Sequence, residues 1–92
     1  MSLLSNKAIN ESLNKLDGWK LENNSIFKEY ELKDFSAAIG FVTQVGIVAE
    51  KVDHHPDILI NSWNKVKITL STHSQGGITN KDISLAEKID NL

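Results

Sequence analysis

Cysteine is absent from this 92-residue chain. That excludes disulfides, thiolate metal ligands and a cysteine nucleophile. Arginine is absent too: all ten basic residues are Lys, against twelve acidic ones, for a formal charge of −2. A nucleic-acid binder carries a basic balance and uses Arg forks on phosphate and guanine. Direct DNA or RNA binding is therefore not expected. No apolar run approaches the roughly 18 residues of a membrane span. The segment Met1-Ser2-Leu3-Leu4-Ser5-Asn6-Lys7 has neither the basic start nor the apolar core of a secretory signal. No membrane association is expected, and the cytoplasm is the default location. Proline occurs once, at Pro56.

What is present is ordinary globular composition, with 40% hydrophobic residues. The expectation is a single domain over residues 1–92. A chain of this size buries only about two-thirds of its unfolded surface, so self-association is expected.

Residues 5–16 read as a helix capped by Ser5 or Asn6, with Ile9, Leu13 and Leu16 at helical spacing. Asp17-Gly18 ends it. Trp19 to Glu22 and Ile26 to Leu32 read as a hairpin around Asn23-Asn24-Ser25. Asp34 caps a long helix running to about residue 52. Its apolar stripe is Phe35, Ala38, Ile39, Val42, Val45, Gly46, Ala49 and Val52, with Phe41 and Val48 as a second strip. Pro56 biases His55 away from helical angles and ends the helix just before His54.

Ile58 and Ile60 indicate a third strand, and Ser62 to Lys65 a turn. Val66, Ile68, Leu70 and Thr72 alternate with Lys67, Thr69, Ser71 and His73, which places His73 on the polar face of a fourth strand. Ser74 to Gly77 is a loop. Thr79 and Asp82 form a capping-box pattern for a last helix, with Ile78 and Ile83 as a hydrophobic staple. The order α-β-β-α-β-β-α predicts an α+β fold: a four-stranded antiparallel sheet with helices packed on one face.

The three histidines all fall at element ends or loops, where reactive side chains project. A surface histidine is ordinarily just that. Three at His54, His55 and His73 make an acid–base cluster worth weighing, since imidazole titrates near neutrality. A metal site built from His54, His55, His73 and Asp82 is disfavoured, because adjacent histidines rarely point at one ion and no HExxH spacing exists. No GxSxG elbow is present for a serine nucleophile, and Gly76-Gly77 lacks a nucleotide-binding pattern. Metal-free proton transfer by imidazoles remains, with no cofactor expected. Asp82 is explained by capping alone. Glu50, four residues before His54, faces it if the helix persists that far; a solvated helix face is the plainer account. Trp63 is either core filling or a flat wall for a planar ligand, and Trp19 reads as core.

The run Glu50-x3-His54-His55-Pro56-x6-Trp63-x9-His73-x8-Asp82 resembles the signature of the pterin-4a-carbinolamine dehydratase family. Close agreement covers roughly residues 49–90, and the first half is similar in pattern and length. The gap from Pro56 to Trp63 is one residue longer than in familiar animal members, and the aromatic is Trp rather than Tyr.

The resemblance implies the α-β-β-α-β-β-α fold and a homodimer or homotetramer. It implies loss of water from 4a-hydroxytetrahydropterin to give quinonoid dihydropterin, in recycling of the tetrahydrobiopterin-type cofactor. It places the catalytic histidines at His54, His55 and His73: His54 and His73 exchange protons with N5 and the 4a-oxygen, and His55 orients the pterin. Which is acid and which is base stays open. Glu50, Trp63 and Asp82 become pterin-contacting or supporting residues. Some animal members also serve as dimerisation cofactors for a transcription factor. The competing reading is therefore a non-catalytic assembly module or coactivator-like binding protein, to which the wide apolar face of the long helix is suited.

Overall fold

Three helices and four strands follow from local signals that the chain carries at each boundary. Ser5 begins α1 (Asn6–Asn14), its Oγ accepting from the Ala8 amide at 3.1 Å. After Gly18, β1 (Lys20–Glu22) and β2 (Ser25–Glu31) form a two-residue hairpin, with Asn23 in the left-handed region that Asn tolerates. Asp34 caps α2 (Phe35–Lys51) by accepting from the Ala37 amide at 2.8 Å. Then come β3 (Asp57–Asn61), β4 (Lys65–Leu70) and, after a short 3-10 turn at His73–Gln75, α3 (Asn80–Asp90). The computed structural model describes residues 2–92.

The sheet is antiparallel throughout, in the order β1-β2-β4-β3. Burial alternates strictly along β4: Val66, Ile68 and Leu70 are fully buried, while Lys65, Lys67 and Thr69 face outward. With Ile26 they make the sheet's contribution to a core closed by Ile9 of α1, Ala38, Val45 and Ala49 of α2, and Ile83, Leu85, Ala86 and Ile89 of α3. The fold is the expected α+β arrangement with an open sheet. No described helix is long and apolar enough to cross a membrane.

Two expectations need correction. The core-facing stripe of α2 is Ala38, Val45 and Ala49, flanked by the half-buried Phe41, Val42, Val48 and Val52. Phe35 and Ile39, expected in the stripe, are 54% and 45% exposed, as is Ile47 at 58%. Helical spacing identifies two adjacent apolar strips on such a helix and does not say which of them meets the sheet. The fourth strand stops at Leu70, before His73. Thr72 instead makes an isolated bridge to Gly77, and its carbonyl accepts from the Gln75 and Gly76 amides, curling the chain into the 3-10 turn. Of the two uses weighed for Trp63, core filling is excluded, because the side chain is 62% exposed.

Candidate active site

The end of α2 decides where two of the histidines go. Asp53 has φ +52°, in the left-handed region. The His54 amide bonds back to the Ala49 carbonyl at 3.1 Å, and the Asp53 amide to Glu50 at 3.2 Å. This is the Schellman pattern, with Asp where Gly is usual. It turns the chain sharply off the helix axis, so the i, i+4 geometry of a continuing helix is lost. Glu50 therefore meets His55, at 2.8 Å from Oε1 to Nε2, and not His54 as expected from helical spacing. Both side chains of that pair are well exposed.

His54 turns inward. Its Nε2 lies 2.6 Å from Oδ1 of Asp82, a residue with no exposed surface. Asp82 is the third residue of α3, and its other oxygen does the capping: Oδ2 accepts from the Thr79 amide at 2.9 Å. The capping role foreseen for Asp82 is thus real and occupies only one of its oxygens. Oδ2 also accepts from the Thr72 hydroxyl at 2.8 Å. That hydroxyl lies 2.8 Å from the hydroxyl of Thr79, which in turn accepts from the Lys81 amide.

The proton positions follow from the chemistry of the groups. A carboxylate has no hydrogen to give. Thr72 spends its single hydrogen on Asp82, so Thr79 must donate to Thr72. Toward the carboxylate His54 donates through Nε2, and the neutral tautomer compatible with that contact has Nδ1 without a hydrogen. No buried side-chain nitrogen or oxygen among the described residues lacks a partner. His54 lines a cavity of about 210 Å³ with Val52, Asn80, Lys81, Ser84 and Leu85.

His73 is exposed and opens the 3-10 turn. The β3–β4 register pairs Asp57 with Thr69, so the chain just before β3 and the chain just after β4 leave the sheet at the same end. All three histidines are carried on those two segments. Trp63 is not: it lies in the hairpin turn at the other end of β3, with φ +58°. The length of β3 separates that turn from Asp57 by about 14 Å at the usual rise per residue. Within one chain, then, the structure joins His54 to Asp82 and His55 to Glu50, brings the His73 segment alongside through Thr72, and leaves Trp63 apart. Among the described residues, no group of three or more His, Asp or Glu side chains is arranged to hold a metal ion.

Sequence reasoning gave Thr79 only a capping role and Thr72 only a place in a strand, and did not connect either hydroxyl to the site. The available signal was a hydroxyl on the inward side of an otherwise apolar alternation, Val66-Ile68-Leu70-Thr72, where a buried polar group must find a partner.

Comparison with known proteins identifies the family. The family described as "Pterin 4 alpha carbinolamine dehydratase" matches residues 2–92. A protein of Prochlorococcus marinus is 45% identical over the whole chain and 96% of its own length. One from Sulfurisphaera tokodaii is 46% identical, covering 98% of its length. Both carry the name "Putative pterin-4-alpha-carbinolamine dehydratase". A crystal structure from Brucella melitensis, described as a transcriptional coactivator/pterin dehydratase, superimposes with a TM-score of 0.92 at 41% identity, covering 98% of this chain and 97% of that one. A pterin dehydratase-like protein identified as a RuBisCO assembly factor in the alpha-carboxysome shares the fold alone, with a TM-score of 0.65 at 18% identity over 79% of this chain and 83% of that one. A signature that folds into a buried imidazole–carboxylate pair, within a match spanning the described chain, makes this protein a member of the pterin 4 alpha carbinolamine dehydratase family.

Proposed function

We propose that the protein dehydrates 4a-hydroxytetrahydropterin to quinonoid dihydropterin, using its histidines as proton-transfer groups. One observation carries the reading: Asp82, fully buried, lies 2.6 Å from Nε2 of His54, and with Nε2 as the donor the basic nitrogen is Nδ1. An imidazole so held accepts a proton at Nδ1, and the carboxylate then stabilises the imidazolium. Dehydration needs one group to take the N5 proton and another to protonate the departing 4a-hydroxyl. His54 takes the first role. His73, exposed on the neighbouring segment, takes the second. As the C4a–O bond breaks, the N5 electrons form the new double bond and water leaves. His55, steadied by Glu50, orients the ring. Trp63 contributes a flat wall only where a second copy of the chain brings it near, which fits a homodimer or homotetramer. Each positioned proton-transfer group supplies about 10²–10⁴-fold. Carbinolamines lose water unaided, so that demand is modest.

The direct test is the decay of 4a-hydroxytetrahydropterin with purified protein. His54→Ala and His73→Ala are expected to remove most of the acceleration while circular dichroism stays unchanged. Full activity in the double variant would dispose of the assignment.

The exposed apolar residues Phe35, Ile39 and Ile47 on α2 favour a second reading, an assembly or coactivator-like module in place of an enzyme. The plainer use of that face is a seam between copies of this chain. No pterin turnover, together with a stable complex with another protein that Phe35→Glu abolishes, would favour the second reading.

A further inference from the structure

Thr72 lies where the two histidine-bearing segments meet, and its side chain and backbone do different things. The side chain points inward: its hydroxyl receives a hydrogen from Thr79 and donates its own to Asp82, which holds His54. The backbone shapes the loop carrying His73. Its amide donates to the Gly77 carbonyl at 2.8 Å, and its carbonyl accepts from the Gln75 and Gly76 amides at 2.9 and 3.0 Å. We propose that Thr72 is a positioning residue: through Asp82 its hydroxyl keeps His54 in the tautomer protonated at Nε2, with Nδ1 free to act, while its backbone sets where His73 stands.

The physical argument concerns the carboxylate's freedom to rotate. Asp82 is fixed by three donors: His54 on Oδ1, and Thr72 and the Thr79 amide on Oδ2. Removing the Thr72 hydroxyl leaves Oδ2 with the Thr79 amide alone and leaves the Thr79 hydroxyl without its acceptor. Both consequences arise in a fully buried place, where water does not substitute freely. The carboxylate can then turn to recover a partner, and the 2.6 Å contact to the imidazole lengthens. Groups standing behind a reacting side chain commonly change activity by 10–100-fold when removed. The Thr72 backbone bonds are untouched by a side-chain substitution, so the two tasks can be separated.

The catalytic part of this inference rests on the proposed dehydratase reading; the tautomer does not. The experiment uses the full chain with 15N-labelled histidine. Two-bond 1H–15N spectra report the tautomer of each imidazole, and the downfield Nε2–H proton reports the bond to Asp82. The His54 signals are assigned by their loss in His54→Ala.

The wild-type protein should show one His54 tautomer, protonated at Nε2. Thr72→Val should give mixed tautomers and a broadened or missing downfield proton, with kcat down about tenfold and KM within about twofold. Thr72→Ser should restore both. Thr72→Ala, with no methyl to press on the carboxylate, replaces Thr72→Val if the latter does not fold. Lower stability with the His54 spectrum and kcat unchanged would overturn the inference, because a purely structural threonine behaves that way. A shifted His54 spectrum in a protein whose wild type turns over no pterin would uphold the positioning role and reject the dehydratase reading.

Discussion

Helix α3 carries a carboxylate in its first turn and another in its last, and the two illustrate the difference between a site and a staple. Asp82 is fully buried and is held by His54, Thr72 and the Thr79 amide. Asp90 is partly exposed and accepts from Trp19 Nε1 at 3.0 Å, Lys28 Nζ at 2.9 Å and Tyr30 hydroxyl at 2.6 Å. Each ties the helix to the rest of the fold. The helix dipole favours an anion at Asp82 and opposes one at Asp90, where the Lys28 ammonium supplies the missing compensation.

What separates them is the partner's remaining capacity. Indole, ammonium and phenol each donate a hydrogen to Asp90. Burial pushes the Tyr30 phenol well above the ordinary tyrosine range, and the bond to Asp90 and its charge push the same way. The imidazole on Asp82 has a second nitrogen that the carboxylate does not engage. The same acid on the same helix is structural in one place and chemical in the other, according to the group it faces.

Four substitutions test that contrast, from the largest expected effect downward. Asp82→Ala leaves three buried donors, on His54, Thr72 and the Thr79 amide, without their acceptor and should cost about 3–5 kcal/mol of unfolding free energy in urea. Asp90→Ala should cost less, about 2–3 kcal/mol, because Asp90 and the Lys28 ammonium are partly exposed. Equal costs would erase the distinction by burial. Asp82→Asn keeps the shape and loses the charge, and kcat should fall about 100-fold in a stopped-flow dehydration assay. Asp90→Asn should leave kcat within about twofold in the same assay, and a comparable loss there would mean both ends serve the chemistry.

Tyr30→Phe should lower stability by about 1–2 kcal/mol through the lost bond to Asp90. It also carries a pH signature. The folded chain holds the phenol's proton above the pH at which the unfolded chain releases it. The contribution is therefore complete below about pH 10 and is lost as pH rises beyond that. Urea midpoints measured from pH 8 to 11 should decline less steeply in Tyr30→Phe than in the wild type. Glu50→Gln, at the exposed His55 pair, should change stability by less than about 0.5 kcal/mol, as exposed ion pairs do. Its expected signature is a severalfold rise in KM, and an unchanged KM would remove Glu50 from the substrate's surroundings.

Much of this was legible in the linear chain. Ser5, Asp34 and Thr79 mark the three helix starts, and each cap is found where the residue type demands it. The period of two in Val66, Ile68 and Leu70 gave the central strand and its buried face. The histidine set stood out by spacing. The errors share one cause. Phe35 and Ile39 have the same periodicity as Ala38 and Val45, and only the docking of α2 on β4 and α3 distinguishes them. Glu50 pairs with His55 because Asp53 enters the left-handed region, which no helical spacing rule anticipates at an aspartate.

The sequence by itself determined the element order, the helix caps, the buried face of β4 and the histidines available for chemistry. These depend on side-chain type and period within a few residues, which is the range of local hydrogen bonding and amphipathic spacing. Only the tertiary structure decided which carboxylate meets which imidazole, and that Thr72 stands behind Asp82. Those contacts join residues far apart in the chain, through a helix end that turns and a strand that stops, and their geometry is settled by packing rather than by neighbours in sequence.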